Sequence, residues 1–171
     1  GKKIDEDHYI AYVYAGANLD FTGKNIFFSG STADGDCVNG ILANGNTTGS
    51  TINFKNNYTK LTCTSTDLDA NANHAAIYCV AAGVVNFDHA VDVYASATHN
   101  KVFGIYMTGN KSLFHAKDRV SIETVGGNMQ TGNNGILIQK NSSALFEGAL
   151  SVKVSGDIGS NIGIMVSSGG K

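Results

Sequence analysis

The segment Asn134-Gly135-Ile136-Leu137-Ile138 is an apolar strand opened by turn residues, and it constrains the fold because it recurs. The same shape returns as Asn39-Gly40-Ile41-Leu42-Ala43, Ala75-Ala76-Ile77-Tyr78-Cys79, Phe103-Gly104-Ile105-Tyr106-Met107 and Ile162-Gly163-Ile164-Met165-Val166. A truncated copy, Ile10-Ala11-Tyr12-Val13-Tyr14, lies near the start. Ile41, Ile77, Ile105, Ile136 and Ile164 are spaced by 36, 28, 31 and 28 residues. A period of that length, filled with short strands and lacking helical periodicity, describes a solenoid in which each repeat is one coil.

Each repeat carries three short strand patterns separated by Gly, Asn, Ser and Thr. The expectation is an all-β chain: a right-handed parallel β-helix, a single-stranded solenoid of about five coils. The coils fall near 17–44, 45–80, 81–108, 109–139 and 140–167, with 8–16 as the last strand of a preceding coil. The whole of 1–171 reads as one β-helix segment, and a pattern that starts and stops in mid-coil predicts a piece of something longer. Isolated copies are expected to associate, either end to end through bare coil edges or side by side.

Strand alternation assigns the faces. Val91 and Val93 point one way while Asp92 and Tyr94 point the other, so Leu61/Cys63, Val91/Val93, Val120/Ile122 and Val152/Val154 are expected inside. Phe21, Phe54, Phe87, Phe114 and Phe146 are expected to stack as one internal column, beside the isoleucine column. With the isoleucines inside, Val13, Leu42, Tyr78, Tyr106, Leu137 and Met165 form an outward apolar stripe. Ala11, Gly40, Ala76, Gly104, Gly135 and Gly163 form a column of small residues beside it. That stripe is either covered by the chain's own loops or exposed for binding and self-association. The small column marks either a bend at the strand start or the close approach of another group.

Composition narrows the partners. A net charge of −2 with no basic block argues against nucleic acid, and no apolar run is long enough to insert directly in a bilayer. Proline is absent, which suits strands that need every N–H for a ladder. Cys37, Cys63 and Cys79 fit no metal-ligand spacing. Cys63 and Cys79 sit at inward positions, and Cys37 lies in a loop where a disulfide is the alternative. No metal site and no cofactor are expected. His89 and His115, following the Phe positions of adjacent coils, are possible neighbours with Asp88 nearby, but a metal needs more ligands than these. Four Asn-x-Ser/Thr triplets, at Asn46, Asn57, Asn110 and Asn141, read as turn chemistry in a chain this rich in Asn, Ser and Thr.

One pair of residues carries an enzymatic alternative. Asp92 and Glu123 are outward on neighbouring coils, two residues out of register, which places their Cα atoms about 8 Å apart. That matches the roughly 6.5–9.5 Å between the carboxyl groups of inverting glycosidases. Against it, Glu123 is expected directly beside Lys153 in an exposed cross-strand ion pair. No Ser-His-Asp or Cys-His grouping assembles, so no catalytic residue is assigned in the leading reading.

The Phe-ended first strand (Val84-Val85-Asn86-Phe87), the Val-x-Val second strand (Val91-Asp92-Val93) and the Gly-Ile third strand (Gly163-Ile164-Met165-Val166) together resemble a bacterial autotransporter passenger. The resemblance spans nearly the whole chain and rests on repeat architecture. It implies an extracellular adhesin, secreted or anchored to the outer membrane through a C-terminal barrel, and a part in virulence. The implied partner is a host-surface protein or glycan, or another copy of itself. The alternative is a carbohydrate-active β-helix enzyme, a polysaccharide lyase or hydrolase, using Asp92 and Glu123.

Overall fold

The computed structural model describes residues 8–31, 38–66, 73–98, 101–126, 132–156 and 159–171. These residues form sixteen strands and no helix. β1 (His8–Tyr14) precedes five triplets. They are β2 (Asn18–Phe21), β3 (Asn25–Ser31) and β4 (Val38–Asn44), then β5 (Ser50–Phe54), β6 (Tyr58–Ser65) and β7 (Asn73–Val80). Next come β8 (Gly83–Phe87), β9 (Ala90–Ala97) and β10 (Lys101–Thr108), then β11 (Leu113–Ala116), β12 (Val120–Gly126) and β13 (Asn133–Ile138). The last triplet is β14 (Ser143–Phe146), β15 (Leu150–Gly156) and β16 (Asn161–Val166).

Every triplet stacks on the next. First strands form a sheet in the order β2-β5-β8-β11-β14, second strands β3-β6-β9-β12-β15, and third strands β1-β4-β7-β10-β13-β16, all parallel. This is a right-handed parallel β-helix, the hand that right-twisted strands impose on parallel crossovers. Four coil-to-coil rises join the end coils, so the solenoid makes about four turns where the sequence counts five repeats.

Inward parity holds along the first and second strands. Ile52, Phe54, Leu61, Cys63, Val85, Phe87, Val91, Val93, Val120 and Ile122 are buried in one continuous core. Burial pushes the Cys63 thiol up to about 12, and Cys79 further still in the same direction. Both are free thiols and behave as small apolar residues; Cys37 lies outside the described residues. The rings of Phe21 and Phe54 stack at 4.8 Å, and those of Phe54 and Phe87 at 4.4 Å.

The phenylalanine column then breaks, contrary to expectation. Ala116 occupies the position opposite Phe87 and Phe146, while Phe114 sits opposite Val85 and Ala144. The Phe114 ring leans toward both neighbours instead, tilted, at 5.7 Å from Phe87 and 5.3 Å from Phe146. A large residue two positions away thus fills the space that the small one leaves, which conserves core volume without conserving the column.

One expectation about the third strands needs correction, and a second can now be specified. Ala11 pairs with Ile41, Tyr12 with Leu42 and Val13 with Ala43, one residue out of step with the repeat as read. A slip of one residue exchanges faces. Val13 therefore points into the core, and Tyr12 takes the outward position. The small column carries both features considered for it, a bend and a close approach. Phe103 pairs with Ala75 and Asn134, and Ile105 with Ile77 and Ile136, with no pairing recorded at Gly104 between them. The strand bends there, so small residue and isoleucine both turn inward. A Cβ on Gly104 would lie 2.3 Å from Ile122 Cγ2, and one on Gly135 2.2 Å from Val152 Cγ1. The close approach is by the chain's own second strands. Ala76 holds the same place in its coil, and the facing strand β9 there carries Ala95 between larger neighbours in its column.

Chain enters each new coil through a turn that uses left-handed backbone, including Ala81 (φ 49°), Ala82 (φ 67°), Lys140 (φ 54°) and Asn141 (φ 59°). Buried serines satisfy carbonyls at these turns: Ser50 Oγ donates to Asn44 O at 2.9 Å and Ser142 Oγ to Gln139 O at 2.6 Å. Asn46, Asn57, Asn110 and Asn141 all lie in turns or bends. The connections differ in length. Between first and second strands they are two or three residues, between third and first two to five, and between second and third three to seven.

The bend makes a prediction. Gly135→Ala should destabilise the chain by about 1–3 kcal/mol, the usual cost of overpacking a filled core. Gly163→Ala, where a Cβ meets nothing within 4 Å, should be close to neutral. Thermal or urea unfolding of the two variants checks this; equal effects would refute the account of the bend.

Candidate functional site

The outer face of the second-strand sheet carries a shallow groove of about 400 Å³, lined by Lys60, Thr62, Asp92, Tyr94, Ser121 and Glu123. Strand alternation puts these residues outside, and ladder register sets their order. Phe27, Lys60, Asp92, Ser121 and Ser151 form one column, and Ser29, Thr62, Tyr94, Glu123 and Lys153 form the next. Three coils contribute to the groove.

Asp92 and Glu123 do lie on neighbouring strands of this face, two residues out of register. Each is already engaged. Arg119 Nη1 donates to Asp92 Oδ1 at 2.6 Å, and the Tyr58 hydroxyl donates to Asp92 Oδ2 at 2.7 Å. Lys153 Nζ donates to Glu123 Oε1 at 2.7 Å, the cross-strand pair expected from the repeat. Partial burial pushes the Asp92 carboxyl up, but the hydrogen bonds from Arg119 and Tyr58, with the charges of Arg119 and Lys60, outweigh it and hold the group below the ordinary aspartate value. The Tyr58 hydroxyl is shifted up, by desolvation and then by the Asp92 carboxylate. Arg119 is raised by its bond to Asp92. Such a carboxylate is a poor general acid near neutrality, because it stays ionised and both oxygens are occupied.

Sequence reading found the carboxylates and missed their clamps. Tyr58 and Arg119 sit two positions before the column they act on, one coil to either side, within the diagonal reach of long side chains. A signal was present, since Arg119 is the chain's one arginine. Phe27, 67% exposed beside Lys60, was likewise not singled out.

The outward stripe is not one continuous exposed surface. Tyr12 is 50% exposed and Met165 40%, but Leu42 and Leu137 are buried. Tyr78 and Tyr106 stack face to face at 4.9 Å, Phe103 stacks on Tyr106, and these rings pack with Ala75 and Leu137 as a second apolar cluster. Gln139 Nε2 donates to the Tyr106 hydroxyl at 2.7 Å.

The first-strand sheet presents a second polar face. Asn86 donates to Asn53 and Asn53 to Asp20, each at 2.8 Å, in a ladder that climbs three coils. Lys55 pairs with Asp20, Lys117 with Asp88 and His115 with Glu147. His89 and His115 are not neighbours: His115 stands in β11 opposite Asn86, whereas His89 is in the turn after β8. The displaced Phe114 explains this, because His115 was placed by counting from it. Among the described residues, no three His, Cys, Asp or Glu side chains gather as a metal set.

Acid should reveal the clamp on Asp92. Asp92 and Asp20 are both held below the ordinary value near 3.8, Asp20 by hydrogen bonds from Lys55 and Asn53. Their contribution to stability is complete above that value and is lost as pH falls through the lower folded-state values. The unfolding temperature should thus be level from about pH 7 to 5 and fall below about pH 4. Asp92→Asn should lower it at pH 7 and flatten the acid limb; an unchanged acid limb would mean the clamp does not couple to folding.

Comparison with protein-family models, with curated proteins and with solved structures found no match, so the reading of this surface rests on its geometry.

Proposed function

We propose that this chain is a segment of a surface-displayed adhesive β-helix of the autotransporter-passenger type, which binds a host-surface protein or glycan through the outer face of its second-strand sheet. One observation carries the reading. The groove offers hydroxyls and charges at fixed coil intervals, while its two carboxylates are neutralised by Tyr58, Arg119 and Lys153. That arrangement suits recognition by preorganised polar contacts better than proton transfer. The β-helix shaft, with open Ser-, Thr- and Asn-rich faces, supports display on the outside of a bacterial cell, secreted or held at the outer membrane.

The test is to present the immobilised chain with a panel of host-surface glycoproteins and polysaccharides, measuring both retention and chain cleavage. Retention without cleavage is expected. Cleavage that disappears in Asp92→Asn or Glu123→Gln would instead establish the carbohydrate-active alternative, and no retention of any panel member would overturn the adhesive reading.

Self-association has its own support. Leu145, on the outward side of the first-strand sheet, and Met165, on the outward side of the third-strand sheet, are about half exposed. Sedimentation of this chain should show concentration-dependent association, reduced by the exposed substitutions Leu145→Lys and Met165→Lys. A monomer at high micromolar concentration would remove this route.

A further inference from the structure

Within the adhesive reading, on which this inference rests, we propose that the groove takes an acidic saccharide, with Lys60 receiving its carboxylate or sulfate and Phe27 receiving the apolar face of a sugar ring. Three separate features converge on that chemistry.

The first is a cation left over. On the two polar faces Lys55, Lys117, Arg119 and Lys153 each have a carboxylate partner at 2.6–2.7 Å. Lys60 lines the groove, is exposed, and has no ion pair recorded among the described residues. Its register neighbour is Asp92, whose two oxygens are held by Arg119 and Tyr58. Lys60 acts on Asp92 through space alone, which leaves its ammonium donors open to solvent and free to meet a ligand anion.

The second is an aromatic ring beside that cation. Phe27 is opposite Lys60 on the preceding coil and is 67% exposed, against the edge of Tyr58 at 6.1 Å between ring centres. An exposed ring on the strand next to that of an available ammonium, one backbone step of about 4.8 Å along the stack, matches a ligand that is apolar on one side and anionic at its rim. The Tyr58 hydroxyl is already committed to Asp92, so this aromatic pair is fixed in place by the same clamp.

The third is a set of small polar groups running away from Lys60 in both directions of the sheet. Thr62 and Tyr94 lie in the adjoining column and Ser121 lies beyond Asp92 in the same one. Hydroxyls that donate and accept suit a polyhydroxylated chain lying across the coils. A peptide strand would find fewer partners, because the backbone groups of this sheet are consumed in its ladders.

The experiment titrates the whole chain, by calorimetry, with oligogalacturonate and with a sulfated oligosaccharide of similar length. A neutral galacto-oligosaccharide and an oligoglutamate peptide serve as controls. At least one acidic saccharide should bind tenfold or more tightly than the neutral one and the peptide, and which one binds distinguishes carboxylate from sulfate. Affinity should fall as salt rises. Lys60→Gln and Phe27→Ser should each weaken binding about tenfold, while Lys117→Gln, on the other sheet, leaves it unchanged. All three positions are exposed, and unfolding curves of the variants confirm that each stays folded.

Equal binding of neutral and acidic saccharides, equal binding of oligoglutamate, or wild-type affinity in Lys60→Gln would each overturn the proposal. So would failure of both acidic probes. If other members of the adhesion panel are still retained in that case, only the acidic-saccharide assignment falls. If nothing is retained, the adhesive reading falls with it.

Discussion

Backbone pairing between successive coils, about 4.8 Å apart, is the constraint to which the rest of this molecule is fitted. Each strand inside a sheet is bonded to the equivalent strand above and below, so a side chain meets its counterpart from the neighbouring repeat before it meets anything else. Apolar columns such as Ile41-Ile77-Ile105-Ile136 and Leu61-Val93-Ile122-Val152 follow from that geometry. So do the polar ones outside, where Asn86, Asn53 and Asp20 pass a hydrogen bond from coil to coil. Absence of proline is the matching condition on the backbone, because each ladder position needs its donor.

Where the repeat was strong, the fold was legible. Period-two alternation in the second strands assigned inside and outside correctly at Val91, Val93, Val120 and Ile122, because one face is buried and register is then strictly determined. Two misreadings share one cause, the assumption that equivalent-looking residues are stacked residues. Val13 resembles Leu42 but pairs with Ala43. Phe114 resembles Phe87 but pairs with Val85. At Gly104 the strand-start bend, one of the two readings of the small column, turns this residue and Ile105 both inward, Gly104 against Ile122. Core volume, which is shared among neighbours, does not reveal which residue supplies it.

The groove was only half visible for a related reason. Asp92 and Glu123 stand on strands whose parity is readable, but what governs their chemistry is diagonal. Tyr58 and Arg119 come from strand edges, and their reach depends on side-chain length and turn geometry that periodicity does not encode. Desolvation alone would have made Asp92 a better acid for catalysis; its two donors reverse the sign. The same donors leave Lys60 without a claimant, so the clamp that quiets the carboxylate also determines which charge is open to solvent.

The unequal connections carry a consequence for how such a chain can diversify. First and second strands are joined by two or three residues throughout, whereas the passage from second to third strands ranges from three to seven. The first-to-second corner of the triangle thus keeps its length, the third-to-first corner varies from two to five residues, and the widest range falls at the second-to-third corner. A lineage can lengthen or replace sequence at that corner without disturbing a single stacked column, since loop closure grows costlier only slowly with length. The solenoid thus separates inheritance into two parts, a periodic frame under strict steric control and one edge on which novelty is cheap.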